Sequence, residues 1–361
     1  MKNVESKRPA APSVRNLSAA LSLFLTVAIP SAARADALED FYRGKQLQLI
    51  ISTGVGGGVD TAARVIARHL GNHIPGNPTV VPKNMTGAGH LQATNYVYGQ
   101  APKDGLTIGA ILPTFVGYQV LDGRGAQYDV RNFNFLGAAD VENANLYTWH
   151  TAGIKKIEDV KDREVLMGAT GAGSYTMLYP TLLNNVLGMK FKMVSGYKST
   201  NEIHLAMERG EVQGRAGNFF SSLKSQNPDW LRDRKIDMLL QFGAVRDPEW
   251  PDVPLLNDLG RTEEEKQIFK IFSAEVALGK VYLTSPGVPA DRLAALRKAF
   301  EETMKDPAYI EDARKVEMLV RPLSWQKQKE MADEIVNMSP ELIAKARAAM
   351  ELKTGDERKV P

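Results

Sequence analysis

Three times in this chain a short β-like run ends in a glycine-rich turn that opens directly into a helical pattern, and these junctions narrow the possible folds more than any other feature. Leu47–Ser52 leads into Ser52-Thr53-Gly54-Val55-Gly56-Gly57-Gly58-Val59-Asp60 and a helix over Asp60–Leu70. Thr79–Pro82 leads, a few residues later, into Thr86-Gly87-Ala88-Gly89-His90 and a helical pattern over Gly87–Tyr98. Glu164–Ala169 leads into Gly168-Ala169-Thr170-Gly171-Ala172-Gly173-Ser174-Tyr175 and a helix over Tyr175–Leu187. Strand and helix signals alternating in this way predict an α/β fold with mostly parallel sheets.

The same alternation predicts two lobes. One series of β-like runs ends near Leu106–Leu112, and a second begins at Glu164. Phe133–Ala138 and Leu146–His150 have little turn chemistry between them, so the chain is expected to cross between lobes there. Val276–Leu283 is the expected return. With 361 residues, the chain is long enough for two cores. The division expected is 36–140 plus 284–361 for the first lobe and 141–283 for the second. After the return the pattern is helical, with one helix opening at Pro289 and Asp291 and a long stretch over Trp325–Met350.

Glycine lets backbone N–H groups approach a ligand closely, and a helix N-terminus adds partial positive charge. Four of the five positions from Gly54 to Gly58 are glycine, more than a turn needs. Asp60 is the expected N-cap of the helix behind them. If the three junctions share one cleft, it suits a small anion at the carboxyl ends of the strands.

Other chemistries lack their motifs. After Gly54 and Gly56, a dinucleotide fingerprint needs glycine at position 59, which is Val59, and no Gly-Lys-Ser/Thr phosphate loop occurs. There is no cysteine, hence no disulfide or thiolate site. His69 and His73 have zinc-ligand spacing, but Gly71 interrupts them and no third ligand clusters nearby. No G-x-S-x-G elbow makes Ser174 a nucleophile. An enzyme is therefore not expected, and neither a metal nor a cofactor is.

The N-terminus reads as an export signal. A basic stretch precedes an apolar run from Leu17 to Ile29, about 13 residues and short of the ~20 that span a bilayer. Pro30 and Ala33-Arg34-Ala35 complete a signal peptide over residues 1–35, cleaved after Ala35. This stretch carries Lys2, Lys7, Arg8, Arg15 and Arg34 against Glu5, so the formal charge of +3 belongs to it. The remainder is close to neutral and offers nothing for a nucleic acid.

The glycine loops resemble those of the Bug family, the solute receptors of tripartite tricarboxylate transporters. The family's P-G-G-x-x-D corresponds to Val55-Gly56-Gly57-Gly58-Val59-Asp60, its E-N-R-x-G-A-G-G to Lys83-Asn84-Met85-Thr86-Gly87-Ala88-Gly89-His90, and its A-P-D-G-Y-T-L to Ala101-Pro102-Lys103-Asp104-Gly105-Leu106-Thr107-Ile108. Gly196-Tyr197-Lys198-Ser199, Asp252-Val253-Pro254 and Ser285-Pro286-Gly287-Val288-Pro289 continue the likeness through the second half. It departs at Val55, where the family has proline, and at His90, where it has glycine. It departs again at Val212-Gln213-Gly214-Arg215-Ala216-Gly217, which lacks both acidic residues of the family's V-D-V-x-F-D and gains an arginine.

The resemblance implies a two-lobed periplasmic binding protein fold with the ligand cleft between lobes. It implies a periplasmic receptor that passes a di- or tricarboxylate or an aromatic acid to a membrane permease, and a monomer is expected. Val55, Gly56, Gly57, Gly58, Asp60, Gly87, Ala88, Gly89 and His90 are placed by it at one carboxylate. Thr170, Gly173, Ser174 and Tyr197 are the candidates from the opposite lobe. Arg215 suits either a bidentate bond to a ligand carboxylate or a structural ion pair. The alternative functions are an exported sensor that docks on a membrane kinase and a periplasmic α/β enzyme.

Overall fold

A computed structural model describes residue 1, residues 31–351 and residues 357–359; for 31–35 and 357–359 it describes the backbone only. The apolar run Leu17–Ile29 lies outside the described residues. Among those described, no helix is long and apolar enough to cross a membrane.

Twelve strands form two sheets. In chain order they are β1 (Gln46–Ile51), β2 (Thr79–Asn84), β3 (Thr107–Ile111), β4 (Asn134–Ala138), β5 (Ala144–Trp149), β6 (Val165–Ala169), β7 (Phe191–Ser195), β8 (Gly214–Phe219), β9 (Ile236–Phe242), β10 (Val281–Thr284), β11 (Leu323–Ser324) and β12 (Glu357–Lys359). The first sheet has the order β11-β4-β10-β3-β1-β2 and the second β12-β7-β6-β8-β5-β9. Setting aside the short outer strands β11 and β12, the two orders are the same arrangement: β1, β2, β3, β10 and β4 correspond to β6, β7, β8, β5 and β9. The chain shows no sequence repeat, so this is a repeat of topology alone.

Without β11, which pairs antiparallel with β4 at the edge of the first sheet, each sheet contains one antiparallel intruder. β5 runs antiparallel to β8 and β9, and β10 runs antiparallel to β3 and β4. Both are crossing strands, which enter one lobe directly from the other and so arrive from the opposite end. The sheets are thus mixed α/β sheets with parallel cores around β1 and β6. Central strands are apolar because both faces are covered by helices: β3 and β4 are buried almost throughout, and β1 buries Leu47, Leu49, Ile50 and Ile51.

Residue 284, the expected return point, is the end of β10, which pairs in the first sheet along its whole length. β12 pairs in parallel with β7 of the second sheet, although the tail was expected in the first lobe. The Trp325–Met350 pattern is two helices, Trp325–Val336 and Pro340–Ala349. Ser339 caps the second, accepting from the Leu342 N–H at 3.2 Å, and Pro340 occupies its first turn.

The two crossings lie against each other. The Lys280 ammonium pairs with the Asp140 carboxylate and, at 2.8 Å, with that of Glu142. Glu142 also accepts from the Ser221 N–H at 2.8 Å and from its hydroxyl. Gly279 sits here with φ +68, and a methyl group on it would meet the Asp140 carbonyl oxygen at 2.1 Å. Only glycine lets the crossings touch.

A second buried acid lies where the halves meet. Glu275, on helix Glu263–Val276, accepts from the Gly117 N–H at 2.8 Å and pairs with no cation among the described residues. Burial raises its pKa to about 8, only partly opposed by that hydrogen bond. The unfolded chain loses this proton near the ordinary glutamate value, whereas the folded chain keeps it, so folding becomes less favourable as pH rises from about 4.5 to 8. Glu275→Gln keeps the acceptor and removes the titration. Its melting temperature is expected to exceed wild type at pH 8 and to converge with it near pH 4.5, as scanning calorimetry would record. A constant difference across that range would contradict a buried neutral carboxyl.

Candidate functional site

The loops at the carboxyl ends of β1, β2, β6 and β7 converge with β8 on a cavity of about 240 Å³. Its walls come from both halves: the loops at Ser52–Gly54 and Gly57–Val59 with Gly87, Gly89 and His90 on one side, and Thr170, Ser174–Thr176, Gly196–Thr200, Arg215, Asn218 and Ser222 on the other. A recess of this size between two walls suits a small solute.

Two helices begin at this cavity without side-chain caps. Gly57 precedes helix Gly58–Leu70 and Ser174 precedes helix Tyr175–Leu187, and neither N-cap side chain accepts from its helix. The first N–H groups of a helix have no partner inside it. Two sets of such donors, one from each half, therefore face the same small space. By contrast, helix Thr200–Glu208 is capped by the Ser199 hydroxyl, which accepts from the Glu202 N–H at 3.3 Å.

Asp60 does other work than expected. It lies inside the helix, 2% exposed, and its carboxylate turns back to accept from the Gly56 N–H at 2.9 Å, Arg64 Nε at 2.9 Å and Asn84 Nδ2 at 2.7 Å. Asn84 Nδ2 also reaches the Thr53 carbonyl at 2.8 Å. The carboxylate is saturated by its own lobe and pins the glycine loop from behind; it is neither the N-cap nor part of the cavity wall. Val55 points outward, 68% exposed, and Gly56, Ala88 and Gly173 also lie off the wall. Gly57, Gly58, Gly87, Gly89, His90, Thr170, Ser174, Tyr197 and Arg215 line it.

Arg215 is the most informative of these. It sits on β8, 3% exposed. Its Nε and one terminal nitrogen reach only the Ala216 carbonyl, at a long 3.4 Å, and Nη1 has no partner. No carboxylate among the described residues pairs with it, and burial lowers its pKa. No acidic residue lines the cavity. Nearby, the Tyr147 hydroxyl lies 2.8 Å from His204 Nε2 and accepts from Asn218 Nδ2 at 3.0 Å. Burial, assisted by the Arg215 charge, holds the His204 pKa well below the ordinary histidine value. The buried surroundings of Arg215 are therefore neutral, and its charge is uncompensated.

The halves meet closely around the cavity. A methyl group on Gly89 would fall 2.4 Å from the Gly173 nitrogen, and one on Gly54 would fall 2.8 Å from Ser199 Cβ and 2.9 Å from the Lys198 carbonyl oxygen. Glycine at these seams permits backbone-to-backbone approach between lobes. Ser52, Thr53, Gly54, Leu112, Thr176, Lys198, Ser199, Asn218 and Ser222 line the cavity although none was among the ligand residues expected from sequence. Thr176 had a visible signal, since it follows the third glycine turn; Ser222 had none.

The two histidines with metal-like spacing face separate carboxylates. His69 Nε2 lies 3.0 Å from Asp312 and His73 Nε2 lies 3.0 Å from Asp306. Among the described residues no group of His, Cys, Asp and Glu side chains is placed to hold a metal ion.

No family model matches the chain, and no curated protein is significantly similar to it. Solved structures are. The periplasmic binding protein BugD matches over 88% of this chain and 100% of its own, with 18% identity and a TM-score of 0.68. The R. palustris protein Rpa4515 with adipate matches over 84% of this chain and 97% of its own, at 19% identity and a TM-score of 0.65. MatC from Rhodopseudomonas palustris with bound malate matches over 85% and 99%, at 18% identity and 0.62. The chain thus has the two-lobed α/β fold of these periplasmic binding proteins.

Proposed function

We propose that this chain is a periplasmic solute receptor of the Bug type, which closes its two lobes on a small organic carboxylate and presents it to a membrane permease. The observation that carries the reading is Arg215, a buried cation on the cavity wall with no carboxylate among the described residues to neutralise it. Burying an unpaired charge costs several kcal/mol, and a fold that tolerates this cost has a use for the charge. A ligand carboxylate supplies the missing partner, and the uncapped starts of helices Gly58–Leu70 and Tyr175–Leu187 supply further donors. Contacts from both lobes to one anion favour the closed arrangement, which a partner can then read.

Binding rather than turnover fits a wall of backbone amides, hydroxyls and a guanidinium with no paired nucleophile and base. The resemblance of the glycine loops, the shared fold, and the adipate and malate in two of the similar structures all support a carboxylate. A thermal-shift screen of dialysed protein against organic acids, sugars, amino acids and cations tests the reading. An acid bound at micromolar Kd and supplied at millimolar concentration stabilises by about 4 kcal/mol, so the melting temperature should rise by several degrees. A response confined to sugars or cations, or turnover of an ester or amide, would remove the basis for a carboxylate receptor.

A further inference from the structure

His90 adds a feature that neither Arg215 nor the helix starts provide. It stands where the second glycine turn meets helix Leu91–Asn95, with a left-handed backbone at φ 81. Its Nδ1 lies 2.9 Å from the Ser52 carbonyl oxygen. A carbonyl oxygen only accepts, so Nδ1 carries the ring proton. Burial lowers the imidazole pKa, which keeps the ring neutral at physiological pH and leaves Nε2 as a lone pair. Nε2 has no hydrogen-bond partner among the described residues, and it is not among the sealed polar atoms. The ring lines the cavity together with Ser52, Gly87 and Leu112. His90 therefore brings a fixed acceptor to a space whose cations and helix starts are donors.

A carboxylate cannot satisfy that acceptor, because it has no proton to donate. If a ligand expels water from Nε2 without replacing its hydrogen bond, the buried lone pair is left unpaired at a cost. We infer that the ligand is a hydroxy acid, whose carboxylate is held by the donors of the cleft while a hydroxyl group donates to His90 Nε2. This deepens the receptor reading and rests on it. The tautomer is set by the chain's own Ser52 carbonyl, so the preference is built in before the ligand arrives. Sequence and loop geometry alone do not reveal it; the Ser52 contact does.

Matched acid pairs test it: malate against succinate, 2-hydroxyglutarate against glutarate, citrate against tricarballylate, each titrated calorimetrically into dialysed wild-type protein. The hydroxy member of the best-bound pair is expected to bind about ten- to a hundredfold more tightly. His90→Asn is the diagnostic variant. Asparagine tolerates the left-handed backbone, and its amide can take the place of Nδ1 toward Ser52, but it has nothing at the position of Nε2. In that variant the ratio should fall to near one.

Equal affinity of the two members in wild type overturns the inference, and so does a ratio that persists in His90→Asn. A deoxy acid whose wild-type affinity weakens steadily as pH rises from 5 to 8 also overturns it, since the ring would then be serving as a cation. If His90→Asn fails to fold, the wild-type ratio still decides. If no acid of either kind binds, it is the receptor reading itself that fails, which separates the two outcomes.

Discussion

Arg215→Met is expected to have opposite effects on binding and on stability. Removing the guanidinium takes away the charge-assisted bonds to the ligand, and losing one partner of a buried charged pair costs about 2–5 kcal/mol. The affinity for the acid found in the screen should therefore fall by about a hundredfold or more. The unliganded protein, however, should become more stable. The arginine is 3% exposed and has no counter-charge among the described residues, only the distant Ala216 carbonyl. Replacing buried charge with apolar volume is neutral or stabilising by about 1–4 kcal/mol. A higher melting temperature without ligand, together with lost binding by calorimetry, would mark a cation kept for function. A lower melting temperature with unchanged affinity would make Arg215 part of the scaffold.

The second large effect concerns closure. Gly54→Ala places a methyl 2.8 Å from Ser199 Cβ and 2.9 Å from the Lys198 carbonyl oxygen, both on the facing lobe. Gly54 is not among the positive-φ residues, so alanine strains nothing within its own lobe. The clash exists only when the lobes are together. Overpacking of this kind costs about 1–3 kcal/mol, charged wholly to the closed state, so affinity should drop roughly five- to a hundredfold. The melting temperature of the unliganded protein should stay near that of wild type. Small-angle scattering at saturating ligand should record a larger radius of gyration than wild type under the same conditions. Unchanged affinity would mean that closure does not bring this loop against Lys198 and Ser199.

How far the site was legible depends on how local each signal is. The strand–glycine–helix junctions are local, and they predicted both the α/β fold and helix Tyr175–Leu187 as the structure has it. Glycines at Gly57, Gly58, Gly87 and Gly89 lead to the cavity for the same reason. Asp60 misled because spacing places a residue on a helix but not its side-chain direction: two residues inside a helix that starts at Gly58, its carboxylate is captured by Arg64 and Asn84. Asn84 lies on β2, so only pairing of β1 with β2 brings it there. Val55 misled differently, since the loop turns outward at Val55 and Gly56, between Gly54 and Gly57 on the wall.

Arg215 was visible as a departure from the family pattern, yet the sequence left open whether it was paired. The answer depended on what the fold places around β8: Tyr147, His204 and Asn218, none of them acidic. Lys198, Ser199 and Ser222 belong to the facing lobe and meet the first glycine loop only in the assembled chain. The position of β12 in the second sheet was similarly invisible, because a charged tail gives no strand signal and its partner β7 lies far away in sequence.

The account turns on a ligand carboxylate neutralising Arg215, and a crystal structure of the wild-type protein with the best acid from the screen tests that directly. Density should place a carboxylate oxygen at about 2.7–2.9 Å from Arg215 Nη1, within the cavity between the two uncapped helix starts. Density that places the acid elsewhere, with Arg215 still facing only the Ala216 carbonyl, would contradict the account.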